Sequence, residues 1–203
     1  MKKVLGILLA AFALAAASPA VIAFSSFGPG DSYNAGSLTV ITGPDLTTPQ
    51  RKGYQFSSTA TGALDSIRFP LRWLSGDTNL HWAIHEDNAD TMGAVLASGD
   101  FVNSSTTSVI VVQDWTGSTP VLNAGSVYWL EMWGDLNGSH GWHLNDQGLT
   151  TTLALSNDHG QNFDYLQDRP TTAFEVNVVP EPATLIALGL GAAALARRRR
   201  RKL

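Results

Sequence analysis

The residues best suited to chemistry in this chain fall into three groups. The hexapeptide HEDNAD at 85–90 brings Glu86, Asp87 and Asp90 into one short segment. Calcium is bound by several oxygens on a flexible loop, and these carboxylates could supply some of them. The D-x-[DN]-x-[DN]-G spacing of an EF-hand is absent, so a solvated acidic turn between strands is the favoured reading. Five histidines form the second group: His81, His85, His140, His143 and His159. On a strand His81 and His85 share a face but lie about 13 Å apart at ~3.3 Å per residue, too far to bind one zinc directly. His140 and His143 lack an H-E-x-x-H context and a third ligand. These rings are expected to face solvent or to be hydrogen-bonded, and no resident cofactor is expected. The third group is tryptophan. Trp129, Glu131 and Trp133 alternate along one stretch, so they share a strand face, and Trp142 could add a further ring. Rings flanking a carboxylate could grip an extracellular polysaccharide, because an indole can stack on a sugar while staying partly wet. The competing reading has the same rings packing across a sheet or under a loop. No G-x-S-x-G elbow and no phosphate-cradling glycine loop occurs, so no catalytic residue is assigned and the chain is not expected to be an enzyme.

The elements that must position these groups are strands. Ile67, Phe69, Leu71 and Trp73 alternate with Ser66, Arg68, Pro70 and Arg72. Leu80, Trp82 and Ile84 alternate with His81, Ala83 and His85, and Tyr128, Leu130 and Met132 with Trp129, Glu131 and Trp133. Further alternation marks 109–113, 153–155 and 174–178. Short period-two segments between Gly, Asn, Asp and Ser clusters predict an all-β, antiparallel two-sheet sandwich, jelly-roll-like, over residues 24–178. Pro70 cannot donate to a ladder, which predicts an edge or bulged strand there. The segment 92–97 could form a helical turn, although Gly93 and its shortness argue against a helix.

Charge is distributed unevenly. Of 13 basic residues, eight lie at the two ends; between Phe24 and Val178 five face sixteen acidic ones. So acidic a body repels nucleic acid, whose binding rests on neutralising phosphates. There is no cysteine, so the core alone must hold the domain. Lys2 and Lys3 precede 14 apolar residues at 4–17, and small residues follow. This is the pattern of a signal peptide spanning 1–23, with signal peptidase cutting between Ala23 and Phe24, or alternatively after Ala20. At the other end 14 apolar residues, 183–196, separate Pro180-Glu181-Pro182 from Arg197, Arg198, Arg199, Arg200, Arg201 and Lys202. As a helix this run rises roughly 21 Å at 1.5 Å per residue, a short membrane span. The basic cluster should stay cytoplasmic as a stop-transfer signal, leaving the body outside.

The series Val179-Pro180-Glu181-Pro182-Ala183-Thr184, then the apolar run, then the arginines, resembles the PEP-CTERM sorting signal of Gram-negative bacteria. That resemblance makes 179–203 a sorting segment with a short transmembrane helix. It implies exosortase as a processing partner, transient residence in the inner membrane, and delivery to the cell surface or extracellular matrix. The runs YQFSSTATGALDSIRFPL, HWAIHEDNADTMGAVLASGDF and PVLNAGSVYWLEMW resemble the choice-of-anchor domains of the R type, from about Tyr54 to Val178. This second resemblance implies an exported β-rich domain and carries no catalytic residue. The expected function is structural or adhesive, in the envelope or a biofilm. A carbohydrate-binding module using Trp129, Glu131, Trp133 and Trp142 is the alternative, and a secreted hydrolase the third.

Overall fold

A computed structural model describes residues 18–117 and 119–180. The described residues form strands without a helix: β1 (Val21–Ser25), β2 (Asn34–Thr42), β3 (Arg51–Ser57), β4 (Gly62–Ser75), β5 (Asn79–Asp87), β6 (Met92–Val102), β7 (Val109–Asp114), β8 (Val121–Leu122), β9 (Val127–Gly134), β10 (Ser139–Leu144), β11 (Thr150–Ser156), β12 (Asp164–Pro170) and β13 (Glu175–Val179). Every strand pairing is antiparallel. One sheet has seven strands, ordered β1-β13-β4-β10-β2, with β7 and β8 on the opposite flank of β4. The other has six, ordered β12-β11-β3-β9-β5-β6. The expected two-sheet sandwich is the observed fold. The expected C-terminal helix falls on residues outside those described.

Alternation explains the core. Ile67, Phe69 and Leu71 of β4 point inward with Trp142, Phe174, Val176 and Val178, against Tyr54, Phe56, Leu80, Trp82, Ile84, Tyr128, Leu130 and Met132 of the facing sheet. Rings meet edge-on at its centre, Trp142 standing 5.4 Å from Tyr54 at 85°. Each large side chain so buried contributes up to about 3 kcal/mol of transfer free energy.

One expectation changes, and two local details are added. The strand containing Pro70 is central rather than at an edge. On one flank of β4 the pairs with β13 stop at Arg68 and those with β10 begin at Leu71. Pro70 lies in that gap, where a missing amide hydrogen costs the ladder least. The segment at 92–97 is extended within β6 rather than a helical turn. Lys52, one of five basic residues of the body, points into the sandwich. Its residue is 8% exposed, its ammonium donates to the Thr39 hydroxyl, and burial pushes its pKa down to about 8.

The sheet that carries β13 also fixes the chain ends. β1 pairs with β13, with Val21 opposite Val178 and Ile22 opposite Asn177. On its other side β13 pairs with β4, ending at Val179 opposite Ala63. The sandwich therefore includes residues 21–23 and 179, which the sequence assigned to the two end segments.

Candidate functional site

The outward face of the six-stranded sheet holds most of the residues singled out for chemistry. By alternation β9 presents Trp129, Glu131 and Trp133, and its neighbour β5 presents His81 and His85. Arg51 and Gln55 come from β3 on the other side of β9. Glu131 is 4% exposed and lies between His85 and Arg51. Its Oε2 is 3.0 Å from His85 Nε2, and its Oε1 is 3.8 Å from the Arg51 guanidinium. His85 Nδ1 faces the Gly93 carbonyl at 3.2 Å. Both ring nitrogens therefore face oxygen atoms.

The rings on this face are covered. Trp129 is fully buried; its indole N–H donates to Asp87 Oδ1 at 2.8 Å and its ring meets Tyr165 edge-on. Trp133 is half-buried. Arg51, reaching from β3, sits 4.5 Å from the ring centroid, and His81, reaching from β5, stacks on it at 5.3 Å and 17°. Because β3 and β5 flank β9 on opposite sides, the two ring faces are covered by the protein itself. Trp142 lies on the other sheet, inside the core, with its N–H on the Ala173 carbonyl. The expected glycan face of Trp129, Glu131, Trp133 and Trp142 is thus corrected: one ring is in the core, one lies under a loop, and one is stacked by neighbours.

The covering loop is the acidic segment. Asn88 and Thr91 exchange backbone hydrogen bonds, closing a two-residue turn in which Ala89 and Asp90 have φ of 51° and 63°. The turn carries Asp87 and Asp90 back over the sheet, where both accept from the Gln55 side-chain amide at 3.1 Å. Tyr165 accepts from the Met92 amide beside them, and Met92 lies over Gly53, where a Cβ would come within 2.8 Å of its sulfur. Among the described residues no three His, Asp or Glu side chains converge as metal ligands. Asp87 and Asp90 instead serve as acceptors that fasten the turn, and Glu86 lies exposed one residue away.

The remaining histidines divide in the same manner. His81 bonds Asp100 at 2.5 Å and His143 bonds Ser108 at 2.7 Å, while His159 is exposed on a turn. His140 departs from expectation. It is fully buried, shares the inward face of β10 with Trp142, and has no hydrogen-bond partner at ordinary distance, the backbone and charge of Asp77 acting on it only weakly. Burial pushes its pKa down to about 4. Arg51 and Tyr165 were the residues missed. The isolation of Arg51 in an acidic body was a visible signal, but its partner across the sheet was not.

A groove of about 450 Å³ opens between β1 and the facing β3 and β11, lined by Ile22, Phe24, Phe56, Val127, Leu149 and several Ser, Thr and Gln side chains. None of its lining groups is ionisable, so it offers no side-chain acid or base.

The edge beside that groove is where both chain ends leave. Val179, the last residue of β13, packs so closely on β4 that a Cβ on Gly62 would stand 2.6 Å from its carbonyl oxygen. Pro180 follows directly, and the proposed sorting residues Glu181 and Pro182 and the basic cluster lie outside the described residues. No helix among the described residues is long and apolar enough to cross a membrane. The PEP-CTERM protein-sorting motif matches residues 178–201. No curated protein matches the chain. Among solved structures, the chain is similar to one titled "Structure of infectious bursal disease virus Gx strain", at 12% identity and a TM-score of 0.25. That alignment covers 85% of this chain and half of the other, and so loose a superposition says nothing about fold or function.

Proposed function

We propose that the sandwich is an exported cargo, held at the inner membrane by its C-terminal segment, cut by exosortase near Pro180-Glu181-Pro182, and delivered to the surface or matrix of a Gram-negative cell. The sorting motif at 178–201 carries this reading. Its position supports it too: the motif begins where β13 ends, so a cut beyond Val179 leaves every described strand intact. Proline lacks an amide hydrogen and disfavours helix at the residue before it, so a sequence with two prolines suits binding by a protease. The acidic body keeps the released domain soluble.

The role within the envelope is structural or adhesive. This role follows from the sorting motif; the body's resemblance to choice-of-anchor domains bears on fold and address alone. Trp129, Trp133 and Trp142, the rings of the carbohydrate-binding alternative, are each engaged by the protein's own side chains or backbone. The test is fractionation of a producing Gram-negative strain. Replacing Glu181 with Ala, or deleting 197–202, should leave the protein in the inner membrane, with surface material falling at least tenfold. Undiminished release of both variants would end the proposal.

A further inference from the structure

We infer that signal peptidase hydrolyses the Ala20–Val21 bond rather than Ala23–Phe24, so that residues 21–23 form the first strand of the mature domain. The inference rests on the export reading above. Water adds across the peptide bond, leaving a carboxylate on Ala20 and an amine, protonated at neutral pH, on Val21.

Where that ammonium would lie separates the two bonds. Ala23 is fully buried and belongs to the core. Its carbonyl accepts from the Thr59 amide at 2.6 Å and from the Thr59 hydroxyl at 2.9 Å. Phe24 packs against Phe174 and Phe56 of the same core, with ring centroids at 4.8 and 5.3 Å. A cut before Phe24 would create a charged amine at the place of the buried Ala23 carbonyl, strip Thr59 of its acceptor, and remove the residues opposite Val178 and Asn177. It would place that charge on Phe24, which is partly buried and packed against the core, where an ionised group is costly. A cut before Val21 creates the same charge at the outer end of an edge strand, on a residue 37% exposed.

The residues before Val21 suit the enzyme. Ser18 and Ala20 are small and two apart, the spacing that the A-x-A rule requires, and 18–20 lie outside any strand with Pro19 and Ala20 exposed. Val21-Ile22-Ala23 offers a small residue only in its last position, with a bulky Val two before it. The β-bulge between Ile22 and Phe24 is the structural reason that Ala23 is small. It turns inward at the bulge, where a larger side chain would meet the core.

The experiment expresses the full chain in a Gram-negative host and reads the N-terminus of the protein recovered from the surface fraction by mass spectrometry, with Ala20→Asp alongside. Val21 as the first residue is expected, and Ala20→Asp should lower the amount of that product at least tenfold. Phe24 as the first residue, in protein that has still reached the surface, would overturn the cut site while leaving export intact. An unprocessed Met1 in the same fraction would overturn both. Unchanged processing in Ala20→Asp would overturn the cut site alone.

Discussion

The outward face of β9 and the edge where β1 meets β13 put opposite kinds of residue to use. The first is rich in groups that usually signal chemistry, a carboxylate, two histidines, an arginine and two indoles, and each is held by another. The second is built of Val, Ile, Ala and Phe, yet it is where both chain ends depart and where the sorting motif begins. A polar group becomes available to a ligand only when its neighbours leave it unsatisfied; on β9 the neighbours from β3, β5 and the 87–92 loop engage Trp129, Trp133 and Glu131, although Glu131 Oε1, 3.8 Å from the Arg51 guanidinium, has no hydrogen bond.

The contrast can be broken by emptying the face. Replacing Glu131 with Ala leaves His85 and Arg51 without their carboxylate, and breaking a buried ion pair typically costs about 3–5 kcal/mol. Arg51 is partly solvated, so a loss of about 3 kcal/mol in urea unfolding is expected. The fraction that still folds should be sorted normally; a sorting defect without a stability loss would reverse the assignment of the two regions.

Acid should probe a second buried polar group at about the same scale. Unfolded His140 takes up a proton near pH 6.5, whereas the folded ring resists until about pH 4. The unfolded state thus binds more protons between these values, so stability is full above 6.5 and drains away as pH falls towards 4. At ~1.4 kcal/mol per pKa unit, the loss approaches about 3 kcal/mol. His140→Leu should flatten that slope in unfolding curves recorded from pH 7 to 4. An unchanged slope would show that the ring does not carry it.

The smallest effect sharpens the comparison at the turn. Ala89 holds a positive φ of 51°, a conformation that costs a side chain about 1 kcal/mol. Ala89→Gly relieves the strain and loosens the unfolded chain, so a net gain of about 0.5 kcal/mol is expected in thermal melts. A loss would mean that the turn over Trp129 depends on the alanine methyl.

The two regions also differ in how far they could be read beforehand. The strands at 67–71, 80–84 and 128–132 were legible because one face of each is buried and period-two alternation records it. β12 was not, because DYLQDRP lies at a sheet edge and is polar on both sides. β10 was obscured by its two histidines, one in the core and one under Tyr33 and Ser108. For the candidate site, alternation correctly placed Trp129, Glu131 and Trp133 on one face. It could not show that Arg51 and His81 would cover the ring of Trp133, since those contacts cross between strands distant in sequence.

By itself the sequence determined the fold class, the charge of the body and the sorting end, because alternation, composition and a contiguous motif are local properties of a chain. Tertiary structure decided which polar groups are already satisfied, that Trp142 is a core residue, and that β1 reaches back to Val21. Those outcomes depend on which strands lie side by side, and pairing partners such as Val21 and Val178 are set by the packing of the whole sandwich rather than by either segment's own residues.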